Sequence, residues 1–223
     1  MDLDVSRARL IVVLGACASG KSYAVRSICK QLFMQGHLKF ARVYSKTARV
    51  NKEYAWLPDG AVHDIDVKGI AAYQNRLLKW REENDGKQLP MNLLVLDDSY
   101  GTIRNPYAPE LMSLYSTHRH TNTWVISLLQ FATAIPTTLR GICDYAIVFG
   151  DRFARSRRAI WNFVGQWYAK EQEFLDMFDG ATKEQYFCLV FKNNTGSKEE
   201  AYTSWRAPAD VDSPPWSVKF KVV

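Results

Sequence analysis

Eight consecutive residues, Gly15-Ala16-Cys17-Ala18-Ser19-Gly20-Lys21-Ser22, match the phosphate-binding pattern GxxxxGK[ST] without a mismatch. In this pattern glycines let backbone amides turn inward on phosphate oxygens, the lysine supplies a point charge for the β and γ phosphates, and the hydroxyl ligates magnesium. The sequence therefore predicts a nucleoside triphosphate site with ATP and Mg2+ as ligands. Its nucleotide-binding segment is Gly15 to Tyr23, with Lys21 on the phosphates and Ser22 on the metal. A chance match in a glycine-containing loop is the alternative, and flanking context is the test. Leu10-Ile11-Val12-Val13-Leu14 before the motif is the apolar run of a strand buried on both faces. After it, Ala24, Val25, Ile28, Leu32 and Phe33 recur at helical spacing, and Gly36 closes the run.

A magnesium nucleotide also needs an acidic group at the carboxyl end of a neighbouring strand. The run Met91-Asn92-Leu93-Leu94-Val95-Leu96 ends in Asp97-Asp98. Asp97 fits the metal-side carboxylate, and Asp98 is placed to orient or deprotonate an attacking water. The competing role for Asp98 is to start a turn through Ser99 to Gly101. A third buried run, Trp124 to Leu129, closes in the polar Gln130. Where an extra strand separates the phosphate-loop strand from the acidic strand, that inserted strand ends in a polar residue that senses the γ-phosphate, and Gln130 has the required order.

The elements that position these groups read as an α/β chain. Strands are expected near residues 8–14, 40–44, 91–97, 124–129 and 145–149, with helices near 70–85, from Pro109, over 135–140 and near 166–178. The first strand, helix and second strand read as a βαβ unit. Tyr186 to Phe191 and Ala201 to Trp205 flank Asn193-Asn194-Thr195-Gly196 and read as an antiparallel hairpin added at the sheet edge. The expected fold is thus a P-loop NTPase of RecA/ASCE type, a central mainly parallel sheet flanked by helices with a C-terminal antiparallel hairpin. Residues 1–207 form the expected domain, and Pro208, Pro214 and Pro215 mark 208–223 as an extended tail.

A chain of 223 residues with 47% apolar content can bury a core in one domain. No apolar stretch nears the length of a membrane span, and Met1-Asp2-Leu3-Asp4 is acidic where a signal peptide would be basic, so neither secretion nor membrane insertion is expected. Cys17, Cys29, Cys143 and Cys188 are scattered without a CxxC pair, which suggests neither zinc nor a disulfide framework and fits a reducing compartment. The net charge of +6 is compatible with a polyanionic partner. Basic residues cluster at Arg152, Arg155, Arg157 and Arg158, and a second candidate run holds Lys46, Arg49 and Lys52. Either stretch could track DNA phosphates, and either could be an ordinary solvated surface.

Three blocks resemble the poxvirus-type genome-packaging ATPases of double-stranded DNA viruses, a branch of the FtsK/HerA superfamily. They are Gly15 to Ser22, Leu93 to Asp98, and the stretch from His118-Arg119-His120 through Gln130 and Arg140 to the strand Asp144 to Phe149. The resemblance implies Asp98 as catalytic carboxylate, Gln130 as sensor, and Arg140 as a finger reaching a neighbour's site, with Arg119 or an arginine of the 152–158 run as alternatives. It also implies a homo-oligomeric ring, a pentamer or hexamer, acting on double-stranded DNA with a capsid or portal-vertex protein. Its setting would be the interior of an infected host cell, with association to the virion a further option. Two other readings stay open: a nucleotide-gated DNA-binding or capsid-assembly scaffold without robust turnover, and a small-molecule kinase whose lid would be the 152–158 run.

Overall fold

The computed structural model describes residues 3–34, 38–47, 53–85, 87–97 and 108–208. Gly36, Arg49, Lys52, Asp98, the Ser99 to Gly101 turn and the tail from residue 209 onward, all subjects of expectations above, lie outside them.

In chain order the strands are β1 (Leu10–Leu14), β2 (Leu38–Ser45), β3 (Val62–His63), β4 (Met91–Asp97), β5 (Thr123–Leu129), β6 (Tyr145–Phe149), β7 (Phe187–Lys192) and β8 (Tyr202–Arg206). Among them run α1 (Lys21–Met34), α2 (Val67–Glu83), α3 (Pro109–Thr117), α4 (Leu139–Ile142), α5 (Ala154–Val164), α6 (Glu171–Ala181) and the single turn α7 (Lys198–Ala201). The strands form one sheet in the order β3-β2-β4-β5-β1-β6-β7-β8. Six are parallel, β3 through β6 in that order, while β7 runs antiparallel to β6 and β8 antiparallel to β7. This is the α/β fold with a C-terminal hairpin that the sequence predicts. The first βαβ connection does not join neighbours, however: β4 and β5 lie between β1 and β2. The expected inserted strand is β5, between the phosphate-loop strand β1 and the acidic strand β4.

Both faces of the central strands are covered, which is why they read as continuous apolar runs rather than alternating ones. Alternation within each run decides the face. Ile11, Val13, Leu93, Val95, Ile126 and Leu128 pack with Ala24, Val25, Ile28 and Leu32 of α1. Leu10, Val12, Leu14, Leu94, Leu96, Val125 and Leu129 pack on the opposite side with residues of α2, α3, α5 and α6, among them Tyr73, Leu114, Phe163 and Phe178. The start of α2 is fixed by Asp66, whose carboxylate accepts from the Lys68 and Gly69 amides at 3.0 Å each.

Two helix expectations are corrected. The helix read over 135–140 begins only at Leu139, after a 3-10 turn at Ala132–Ala134. Pro136 disfavours helical geometry in the residue before it, and Ile135 is accordingly extended (φ −73, ψ 117). The helix read near 166–178 starts only at Glu171, as α6, and a further helix that was not expected, α5, precedes it. Gly165 separates them, its amide donating to Trp161 O at 2.7 Å in a position where a Cβ would sit 2.6 Å from that oxygen. The arginine run is therefore the start of α5, whose apolar face is Ile160, Phe163 and Val164.

Candidate nucleotide site

Parallel strands place all their carboxyl ends on one edge, and ligands of open α/β sheets collect there. The segment between β1 and α1 turns over this edge. Ala18 adopts φ 58 and Gly20 φ 109, so the chain enters left-handed backbone twice within three residues, a geometry that points successive amides into one concavity. A Cβ on Gly15 would lie 2.5 Å from Ser19 Oγ and 2.8 Å from the Phe149 side chain, so only glycine fits there. The Gly15 amide donates to Leu129 O at 3.1 Å, tying the loop to the end of β5. Lys21 Nζ donates to the carbonyls of Gly15 and Ala16 at 2.6 and 2.7 Å, which holds the ammonium over the loop. Ser19 Oγ is buried with no hydrogen-bond partner among the described residues, a polar atom suited to a phosphate oxygen.

A cleft of about 1060 Å³ opens from this loop. Of the residues expected at the site, Cys17, Ala18, Gly20, Lys21, Ser22, Tyr23, Asp97 and Gln130 line it. Asp97 is the last residue of β4, opposite Ser45 of β2 and Leu128 of β5, and is 6% exposed. Ser45 Oγ donates to Asp97 Oδ2 at 3.4 Å. Gln130 follows β5 directly and is half-buried. A hydroxyl from Ser22 and a carboxylate from Asp97, both hard oxygen donors, suit magnesium held jointly with a nucleotide. Among the described residues, no group of three or more His, Cys, Asp or Glu gathers to hold a metal by itself.

The structure adds residues to the cleft that local motifs do not reveal. Glu53 lies on its wall, and Ser22 Oγ donates to Glu53 Oε1 at 3.4 Å. Beside it Tyr54 is 3% exposed. Burial first, and then the nearby Asp97 charge, push the Tyr54 phenol well above its ordinary value, so it is a neutral hydroxyl beside the acidic end of β4. Arg26 donates to the Glu53 carbonyl at 3.1 Å and lies 5.4 Å from the centre of the Tyr23 ring. From the far side come Tyr186, Arg206, Ala207 and Pro208.

Other expected residues stand apart. Arg140 is half-buried on α4, does not line the cleft, and its Nε is buried without a hydrogen-bond partner among the described residues. Arg152, Arg155 and Arg158 are exposed at the start of α5. Arg157 is committed elsewhere, donating to both carboxylate oxygens of Asp179 at 2.5 and 2.8 Å. Arg119 bonds Asp144 Oδ1 at 2.8 Å, beside the first residue of β1 and so at the opposite edge of the sheet from the cleft. Among the described residues no helix is long and apolar enough to cross a membrane.

No family model matches this chain, and no curated protein sequence matches it either. Solved structures do. The genome packaging NTPase B204 from Sulfolobus turreted icosahedral virus 2, in complex with AMPPCP, superposes with a TM-score of 0.64 at 15% identity, covering 90% of this chain and 98% of its own. The pCW3 conjugation coupling protein TcpA with ATPgS gives 0.65 at 16% identity over 93% of this chain and 62% of TcpA. EssC (ATPases 2 and 3) from Geobacillus thermodenitrificans gives 0.63 at 14% identity over 92% of this chain and 41% of that one. At these identities the likeness is one of fold, and the fold is that of P-loop ATPases.

Proposed function

We propose that this chain is an ATP-hydrolysing motor that moves double-stranded DNA into a viral capsid, a genome-packaging ATPase of the FtsK/HerA type and of its poxvirus-like branch. The observation that carries the proposal is the convergence of Lys21, Ser22, Asp97 and Gln130 on one cleft, with β5 inserted between β1 and β4. The likeness in fold to B204, a genome packaging NTPase, and to TcpA, a conjugation coupling protein, supports DNA translocation over small-molecule phosphorylation.

The inward-turned amides of the loop and the Lys21 ammonium bind the triphosphate at the amino end of α1, where anions are favoured. Ser22 and Asp97 would hold magnesium, which when bound would neutralise phosphate charge. Gln130, at the end of the inserted strand, orients the γ-phosphate or the attacking water. Asp98 takes the proton from that water, and Glu53 offers a second carboxylate in the same cleft, longer by one methylene. Arg140, which does not line the cleft of its own chain, stabilises the transition state in a neighbouring subunit of a five- or six-membered ring. Arg49, Arg152, Arg155 and Arg158 track DNA phosphates, which gives grip without sequence preference. A capsid or portal-vertex protein recruits the ring inside the infected cell.

Steady-state ATP hydrolysis with and without linear double-stranded DNA, using Lys21→Ala as the blank, tests this reading. Stimulation by DNA is expected. Tight ATP binding with no turnover in either condition would favour a nucleotide-gated scaffold instead.

A further inference from the structure

The cleft has a wall that the phosphate loop does not build, and sheet topology explains it. Because β7 runs antiparallel to β6, with Phe149 opposite Cys188, it begins at the edge where the parallel strands end. Because β8 runs antiparallel to β7, with Phe187 opposite Arg206, it finishes at that same edge. The hairpin therefore delivers the residue before β7, Tyr186, and the last residue of β8, Arg206, to the rim of the cleft. Ala207 and Pro208 follow Arg206 along that rim.

Tyr186 is held in an uncommon conformation for a bulky side chain, φ 69, and the residue is 44% exposed. Outliers of this kind persist where the surroundings over-determine them, and they concentrate at ligand clamps. The ring lies against the phosphate loop, since a Cβ on Gly20 would sit 3.4 Å from it. The Arg206 guanidinium stands 5.9 Å from the centre of the same ring. A partly exposed aromatic ring with a planar cation over it, at the mouth of a mainly apolar cleft, makes a stacking platform for a flat heteroaromatic group.

We propose that Tyr186 and Arg206 are the base-holding wall of the nucleotide site and stack the purine ring of the triphosphate whose phosphates lie on the Gly15 to Ser22 loop. The proposal rests on the nucleotide-binding reading above and assigns the C-terminal hairpin to substrate recognition. Stacking rewards ring area, so purine nucleotides bind more tightly than pyrimidine nucleotides.

The test compares ATP with inorganic tripolyphosphate, which carries the phosphates without the base, in magnesium-containing calorimetric titrations of the full chain. Tyr186→Gly removes the ring while suiting the positive φ, so the variant retains the fold, and thermal melting verifies that. Tyr186→Gly and Arg206→Ala each weaken ATP at least tenfold and change tripolyphosphate less than twofold, while Tyr186→Phe keeps ATP affinity. Lys21→Ala weakens both ligands. Unchanged ATP affinity in Tyr186→Gly and Arg206→Ala would overturn the base wall and leave the phosphate site standing, as would equal losses for ATP and tripolyphosphate. Equal affinity of the wild type for ATP and CTP would overturn the purine assignment. Indifference of both ligands to Lys21→Ala would instead remove the nucleotide reading on which the proposal rests.

Discussion

Charged residues gather at both ends of the parallel strands, and the two gatherings are built on opposite principles. At the amino end the Asp144 carboxylate is saturated: it accepts from Arg9 at 3.2 Å, Arg119 at 2.8 Å and the Leu10 amide at 2.9 Å, with His118 Nε2 at 3.8 Å. Arg9 is in turn paired with Asp4. At the carboxyl end Lys21, Asp97 and Glu53 face a cleft that admits a ligand. Buried charge that is closed on itself holds strands in place, whereas charge directed into a cavity is available for chemistry. The same sheet thus separates its structural electrostatics from its functional electrostatics by the length of a strand.

The sharpest way to break this comparison is Asp144→Ala. Removing the acceptor strips the buried Arg9, whose side chain is 8% exposed, of one of its two carboxylates and leaves the Leu10 amide unsatisfied, at an expected cost of about 3–5 kcal/mol in urea denaturation. ATP affinity of the folded fraction should not change, and a parallel fall would show that the two ends are coupled. Lys21→Ala is the mirror experiment. Loss of a charge-assisted contact of about 1.5–3 kcal/mol should weaken ATP roughly 10- to 100-fold in a fluorescent-nucleotide titration, with little shift in melting temperature.

Acid sharpens the contrast by a smaller margin. Burial raises the Asp144 carboxyl, but the nearby His118, the hydrogen bond from the Leu10 amide, the charge of Arg119 and the hydrogen bond from Arg9 outweigh it, leaving the group lowered from 3.8 to about 2. A carboxyl whose folded value lies below its unfolded one stabilises fully above the unfolded value and loses that contribution as pH falls through the folded one. About 2 kcal/mol should therefore disappear between roughly pH 4 and pH 2. It is measured as the stability difference between wild type and Asp144→Asn across that range, and a difference independent of pH would contradict it. The smallest effect is expected at Arg157→Ala. Its partly exposed ion pair with Asp179 contributes no more than about 1 kcal/mol, and DNA retention on a filter should be unaffected. Replacing Arg152, Arg155 and Arg158 together should instead flatten the salt dependence of DNA binding.

What the sequence disclosed follows from how local each signal is. The phosphate loop is contiguous, and β1, β4 and β5 announce themselves as unbroken apolar runs because both their faces are covered, so Asp97 and Gln130 could be placed from the chain alone. Glu53 and Tyr54 come from an irregular segment with no periodicity, so no local signal places them beside the acidic strand. Tyr186 and Arg206 were within reach: a hairpin added antiparallel beside β6 must present its two open ends at the cleft. The start of α5 was obscured because four arginines precede its apolar residues, and the partner that removes Arg157 from the exposed set lies 22 residues away on α6.

Cys17 sits in the phosphate loop as the one exposed thiol of the four, while Cys29, Cys143 and Cys188 are buried. Burial pushes Cys143 and Cys188 up to about 12 and Cys29 higher still, so none of the three presents a thiolate at neutral pH. The molecule consequently carries a natural single attachment point at its own binding loop. One equivalent of a maleimide dye should mark that loop without any engineered residue, and slower coupling in the presence of ATP would report occupation of the cleft.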